Sequence, residues 1–165
     1  MADMAVRLER YADAETWMKT QLSNNPSVNY LAQWAEIQIL QGKDENVISY
    51  LTPIVNSAPE IDDTLLLQLA LAEKSLLIKS GDKKFDNIWG KKLSERVNLR
   101  EQRQDIQHAN EVARFYLDIQ SQPEKALHWA TLHTQHSREI NDKKLLERAK
   151  NSVSYSRNLQ KKETR

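Results

Sequence analysis

The groups in this 165-residue chain whose types and spacing could do chemistry are four histidines, two adjacent carboxylate pairs and a run of cations. His133 and His136 lie three apart, so on a helix two imidazoles share a face and could ligate one metal ion. A zinc site needs at least a third ligand. Glu139 is the nearest supplier, His128 falls off that face, and the chain has no Cys. Cations near a helix C-terminus account for the same residues more simply, so no metal site is expected. His108 stands apart. The pairs Asp44-Glu45 and Asp62-Asp63 sit where helices begin, and there carboxylates satisfy free N–H groups and the helix dipole. No Ser lies in a Gly-flanked elbow, and three scattered glycines form no phosphate loop. The expectation is a chain that is not an enzyme and holds no cofactor. A hydrolase built on His133, His136 and Glu139 is the reading with least support.

Lys79, Lys83, Lys84, Lys91, Lys92, Arg96, Arg100 and Arg103 crowd one region. A basic helix around 83–104 is therefore the alternative site, for nucleic acid or another anionic partner. Asp82, Asp86, Glu95 and Glu101 interrupt it, and the pI is only 7.9, which argues against nucleic acid. The net charge of +1 hides an uneven distribution. Residues 1–73 carry four Lys/Arg against eleven Asp/Glu, a net −7, and residues 74–165 carry twenty against twelve, a net +8. Such polarity could steer partners or stack copies head to tail.

The elements that must position these groups are helices. Gly and Pro number three and four, and runs of alternating β-branched residues are missing. Asn25-Pro26, Gln41-Gly42-Lys43-Asp44, Ala58-Pro59-Glu60, Ser80-Gly81-Asp82 and Ser121-Gln122-Pro123 punctuate the chain as helix stops and starts. Helices are predicted at about 11–24, 28–41, 44–57, 62–79, 83–104, 106–120, 123–136 and 140–160. Pro53 should kink or shorten the third. The string Leu65–Ala72 is apolar on nearly every side and predicts a helix sandwiched between neighbours. Phe85, Ile88, Trp89, Leu93 and Val97 form one stripe on a charged helix. Trp17, Trp34, Trp89 and Trp129 fall at helix-packing positions. No apolar run approaches a membrane span, and the first residues lack the apolar stretch of a secretory signal. The absence of Cys suits either compartment, so exported, periplasmic and cytoplasmic locations all stay open.

Pro26 and Pro59 lie 33 residues apart, and Leu31, Trp34-Ala35, Gly42, Val47, Leu51 and Ile54 fall between them. This order resembles the tetratricopeptide repeat: a bulky residue, a small residue where helices approach, a turn Gly, then small and large residues on the second helix. Tyr11 to Pro26 resembles the second helix of such a repeat. Ala70, Gly81, Trp89 and Leu93 resemble a third copy with a longer charged helix, and Ala113, Tyr116-Leu117, Pro123, Ala126-Leu127 and Ala130 a fourth. From Leu65 onward the chain is similar to the C-terminal part of bacterial repeat proteins of unassigned function. Glu111, Ala113-Arg114-Phe115, Leu117, Pro123, Ala126-Leu127, Ala130, Gln135, Arg138-Glu139, Asp142, Leu145-Leu146 and Ala149 carry that likeness. Ile140 stands where Pro is usual, and His133-Thr134 where Asn-Trp is usual.

The resemblance implies an all-α, right-handed α-solenoid of antiparallel helix pairs with about 8 helices, forming a single domain over 1–165. A polar, basic end at 154–165 would fray. It also implies a bacterial protein-interaction scaffold, often exported, with no reaction of its own. The lone helix before Pro26 leads to the expectation that further repeats, and an export signal, precede it; a stub helix over 3–10 is the alternative. Such stacks bind on the face made by the first helix of each pair. That face would be Asn29, Gln33, Glu36, Gln68, Ser75, His108, Glu111, Phe115 and Asp118, a polar-to-acidic groove for a protein or peptide. The same face could instead meet missing repeats or a second copy, giving a homo-oligomer.

Overall fold

The computed structural model describes residues 4–5, 8–22, 25–81, 87–137 and 140–163. Among them every regular element is helical. They are α1 (Tyr11–Leu22), α2 (Val28–Leu40), α3 (Asp44–Ser57), α4 (Asp63–Ser80) and α5 (Ile88–Arg103). A 3-10 turn (Ile106–His108), α6 (Ala109–Arg114), a π-helical segment (Phe115–Ile119), α7 (Pro123–His136) and α8 (Ile140–Glu163) follow. Contacts divide the chain into two compact units, Met1–Lys92 and Leu93–Arg165.

In the first unit, local chemistry sets the helix ends. The Ser27 hydroxyl accepts from the Tyr30 N–H (3.3 Å), and the Asp62 carboxylate accepts from the N–H groups of Thr64 and Leu65 (2.8 and 3.4 Å). Gly42 (φ +73°) and Gly81 (φ +65°) take the left-handed conformation that closes α2 and α4. Two tyrosines reach back to the exposed end of α1: the Tyr30 hydroxyl donates to the Met18 carbonyl (2.8 Å) and the Tyr50 hydroxyl to that of Leu22 (3.1 Å). Before α1, Met4 and Ala5 are helical and the Leu8 N–H bonds the Met4 carbonyl (3.1 Å).

α4 packs against both α2 and α3, as an element apolar all round must. Leu65, Leu66, Leu67, Leu69, Ala70 and Ala72 are buried with Ala35, Ile37, Val47 and Leu51 from its neighbours. Each fully buried Leu contributes about 1.5–3 kcal/mol. Pro53 does not shorten α3, which continues to Ser57. Pro53 and Ser49 are both exposed, so the Ser49 carbonyl that loses its helical partner lies at the solvent-facing side of α3. Trp17 departs from its expected packing role and is 45 % exposed, because Ala14 and Met18 carry the buried face of α1. Trp34, Trp89 and Trp129 are buried.

Two buried carboxylates tie elements of this unit together. Asp44, in the first turn of α3, receives the Ser75 hydroxyl (2.9 Å) and the Lys79 ammonium from α4, and Lys79 also donates to the Gly42 carbonyl (3.1 Å). Glu73, only 3 % exposed, accepts the N–H groups of Ile88, Trp89 and Gly90 at 2.8, 3.2 and 2.9 Å. It thereby caps the start of α5 from another helix.

In the second unit, α7 packs against α6, the π segment and α8. The single helix expected over 106–120 is three pieces. The Asp105 carboxylate caps the 3-10 turn through the Gln107 N–H (3.2 Å). Farther on, the Gln120 N–H bonds the Phe115 carbonyl (3.0 Å), five residues back, and the Gln122 N–H bonds that of Tyr116 (2.8 Å). Phe115 and Tyr116 are both buried, with ring centroids 5.2 Å apart and planes at 70°. Ala126, Trp129 and Ala130 on α7, and Leu145, Ala149 and Val153 on α8, supply the rest of the interior. α8 stays helical through 154–163, where the sequence predicts fraying.

Candidate functional site

The nine residues expected to line one groove do not form a uniformly accessible row. In the first unit, Asn29 and Glu36 are exposed on α2 and Gln33 is half-buried. Gln68 is a core residue, 1 % exposed, and its side-chain oxygen has no hydrogen-bond partner among the described residues. Ser75 is half-buried and occupied with Asp44. In the second unit, Phe115 is 1 % exposed and belongs to the core. His108 lies 4.0 Å from the Asp105 carboxylate, and Glu111 is half-buried. Asp118 is held by Arg148 (2.6 Å) and Arg114 (3.8 Å). The register fails at Gln68 because α4 is enclosed by α2 and α3, and at Phe115 because this ring, still in α-helical register with Glu111, packs into the core.

The other sequence candidates are likewise engaged in local structure. The His133 Nε2 lies 2.9 Å from the Asp142 carboxylate, which also receives the Ser137 hydroxyl. Both groups meet the acid. The cluster joins the end of α7 to the first turn of α8. His136 is exposed, and Glu139 lies outside the described residues. Among the described residues no group of three His, Cys, Asp or Glu could hold a metal ion. Of the expected basic helix, Lys83, Lys84 and the stripe residue Phe85 lie outside the described residues. Lys92 sits over the Trp89 ring (4.6 Å to its centroid) and Arg100 pairs with Asp105 (2.8 Å). Trp89, Leu93 and Val97 are buried as the stripe requires, whereas Ile88 is exposed.

A pocket of about 610 Å³ in the second unit was missed by the sequence reading. The last turn of α5 gives it Glu101, the turn after it Gln104, the 3-10 turn Ile106, and α7 gives Glu124, Lys125, His128, Trp129 and Leu132. Lys125, His128, Trp129 and Leu132 follow the i, i+3, i+4, i+7 spacing of one helix face. That spacing, with a Trp beside charges of both signs, was the available signal. Pro123 at the first helical position starts α7 and fixes where the face begins.

Behind this face runs a polar network. The Lys125 ammonium lies 3.1 Å from the Tyr116 hydroxyl and 4.5 Å from the centre of its ring, and 3.4 and 3.5 Å from the two Glu101 oxygens. The Trp129 indole N–H donates to Glu101 at 3.4 Å. Burial pushes the Tyr116 hydroxyl above its ordinary pKa. The hydrogen bond to Tyr116 raises that of Lys125, so the ammonium form is favoured. The arrangement offers an apolar floor, a fixed cation and a carboxylate rim. Comparison of the chain with protein-family models, with curated proteins and with solved structures gave no match.

Proposed function

We propose that this chain is a protein-interaction module of the tetratricopeptide-like type, with its antiparallel helix pairs forming a right-handed solenoid. Its partner is a protein or peptide segment. The pocket around Trp129 carries this reading, because its volume of about 610 Å³ suits one or two side chains and its apolar floor opens between exposed polar groups. Short turns between helices and the full burial of Ala35 support the repeat assignment, since a small residue where helices pack is what such pairs require.

The test is a peptide-array selection with the purified chain, repeated with Ile106→Asp and with Leu132→Asp. Ile106 is exposed and Leu132 half-buried, so neither change removes a core residue. Selected peptides should lose at least tenfold in affinity to each variant while the thermal midpoint stays within a few degrees. Unchanged affinity in both folded variants would sink the assignment of the site.

A further inference from the structure

We infer that the Trp129 pocket recognises an arginine side chain flanked by large apolar residues on the partner segment; this rests on the pocket being the binding site. The choice of charge follows from which groups in the pocket are already committed. Its one lysine is held chiefly by Tyr116: the Tyr116 hydroxyl lies 3.1 Å from the Lys125 ammonium and the ring lies beneath it, 4.5 Å to the centroid. The two carboxylates are held loosely. The hydrogen bonds to Glu101 run at 3.4–3.5 Å, at the outer limit for this interaction. Glu124 is 62 % exposed, and its ion pair with Arg157 spans 3.9 Å. Carboxylate acceptor capacity is therefore spare, and cationic donor capacity is not.

A guanidinium entering the pocket can place two parallel N–H groups on one carboxylate, a geometry that an ammonium cannot match. His128 is exposed at the rim with its ring edge-on to Trp129 (centroids 5.8 Å apart, planes at 81°), a surface on which a planar cation stacks. Ile106 and Leu132 cover the neighbouring apolar side chain. An acidic side chain would instead face Glu101 and Glu124, and would have to draw Lys125 away from Tyr116. Its entry costs both repulsion and a broken hydrogen bond.

Three blocked pentapeptides test this, identical in their flanking leucines and differing only in a central arginine, citrulline or glutamate. Binding is read by calorimetry and by the shift of the Trp129 indole N–H resonance, assigned with Trp129→Phe. The arginine peptide should bind at least tenfold more tightly than the citrulline peptide, which has the same shape without the charge. Glu101→Gln should erase that difference, and Glu124→Gln, at an exposed position that folding does not need, should reduce it. Equal binding of arginine and citrulline peptides, or tightest binding of the glutamate peptide, overturns the arginine assignment and leaves the pocket standing. If none of the three moves the Trp129 resonance, the pocket is not the binding site and both readings fall.

Discussion

Glu73 is a buried carboxylate that accepts three peptide N–H groups from the start of another helix. The first N–H groups of α5 have no partner within the helix, and they carry the positive end of its dipole. Hydrogen bonds from Ile88, Trp89 and Gly90 satisfy both the acid and the helix start. Glu73→Ala should cost about 2–3 kcal/mol, since it removes a cap and leaves buried N–H groups without acceptors. Urea denaturation checks this: the midpoint should fall with an unchanged slope. Glu73→Gln keeps one acceptor oxygen, and its loss should be smaller. Part of this was legible. Glu73 is the one ionised residue in the apolar run Leu65–Glu73, and a charge there must find a partner. Which partner was not legible, because the N–H groups it meets lie on a segment 15 to 17 residues away.

The helices themselves were largely readable, since their ends depend on residues within one turn. Ser27, Asp62, Gly42, Gly81 and Pro123 each act at the position their chemistry dictates. Gly81 isolates one such effect. An added Cβ there would have no atom within 4 Å, so only the backbone opposes a side chain. Gly81→Ala should cost about 1–2 kcal/mol, and Gly81→Asn, which tolerates the left-handed region, less. Equal losses measured by urea denaturation would place the cost elsewhere. Faces were harder to read than ends. Phe115 keeps the α-helical bond from its N–H to the Glu111 carbonyl, so it shares a face with a half-buried acid, and spacing alone did not reveal that it fills the core. Phe115→Ala should cost about 3–5 kcal/mol, which thermal unfolding would register as a large drop in the midpoint. A binding defect in that variant would therefore report lost folding.

Across the whole molecule, pH separates the contributions of the two compact units. In the first, the Lys43 ammonium at 2.6 Å holds the Glu15 carboxyl below its ordinary value of 4.5, despite opposing desolvation. A lowered carboxyl contributes stability above its unfolded value, and that contribution is lost as pH falls through the folded value. In the second, Lys125 is raised above 10.5 by its hydrogen bond to Tyr116, and burial raises Tyr116 above 10.0. Raised groups contribute fully below their unfolded values and lose that contribution as pH rises through the folded ones. The Lys125 side chain is half exposed, so solvent keeps its share modest. Glu15→Gln should lower the thermal midpoint at neutral pH and converge on wild type as pH falls well below 4.5. Lys125→Met should do the reverse, differing at neutral pH and converging only as pH rises well above 10.5. The acid limb then reports the α1 contact with the α2–α3 turn, and the alkaline limb reports the pocket. A midpoint gap that stays constant from acid to alkali in either variant would show that its charge is not what stabilises that unit.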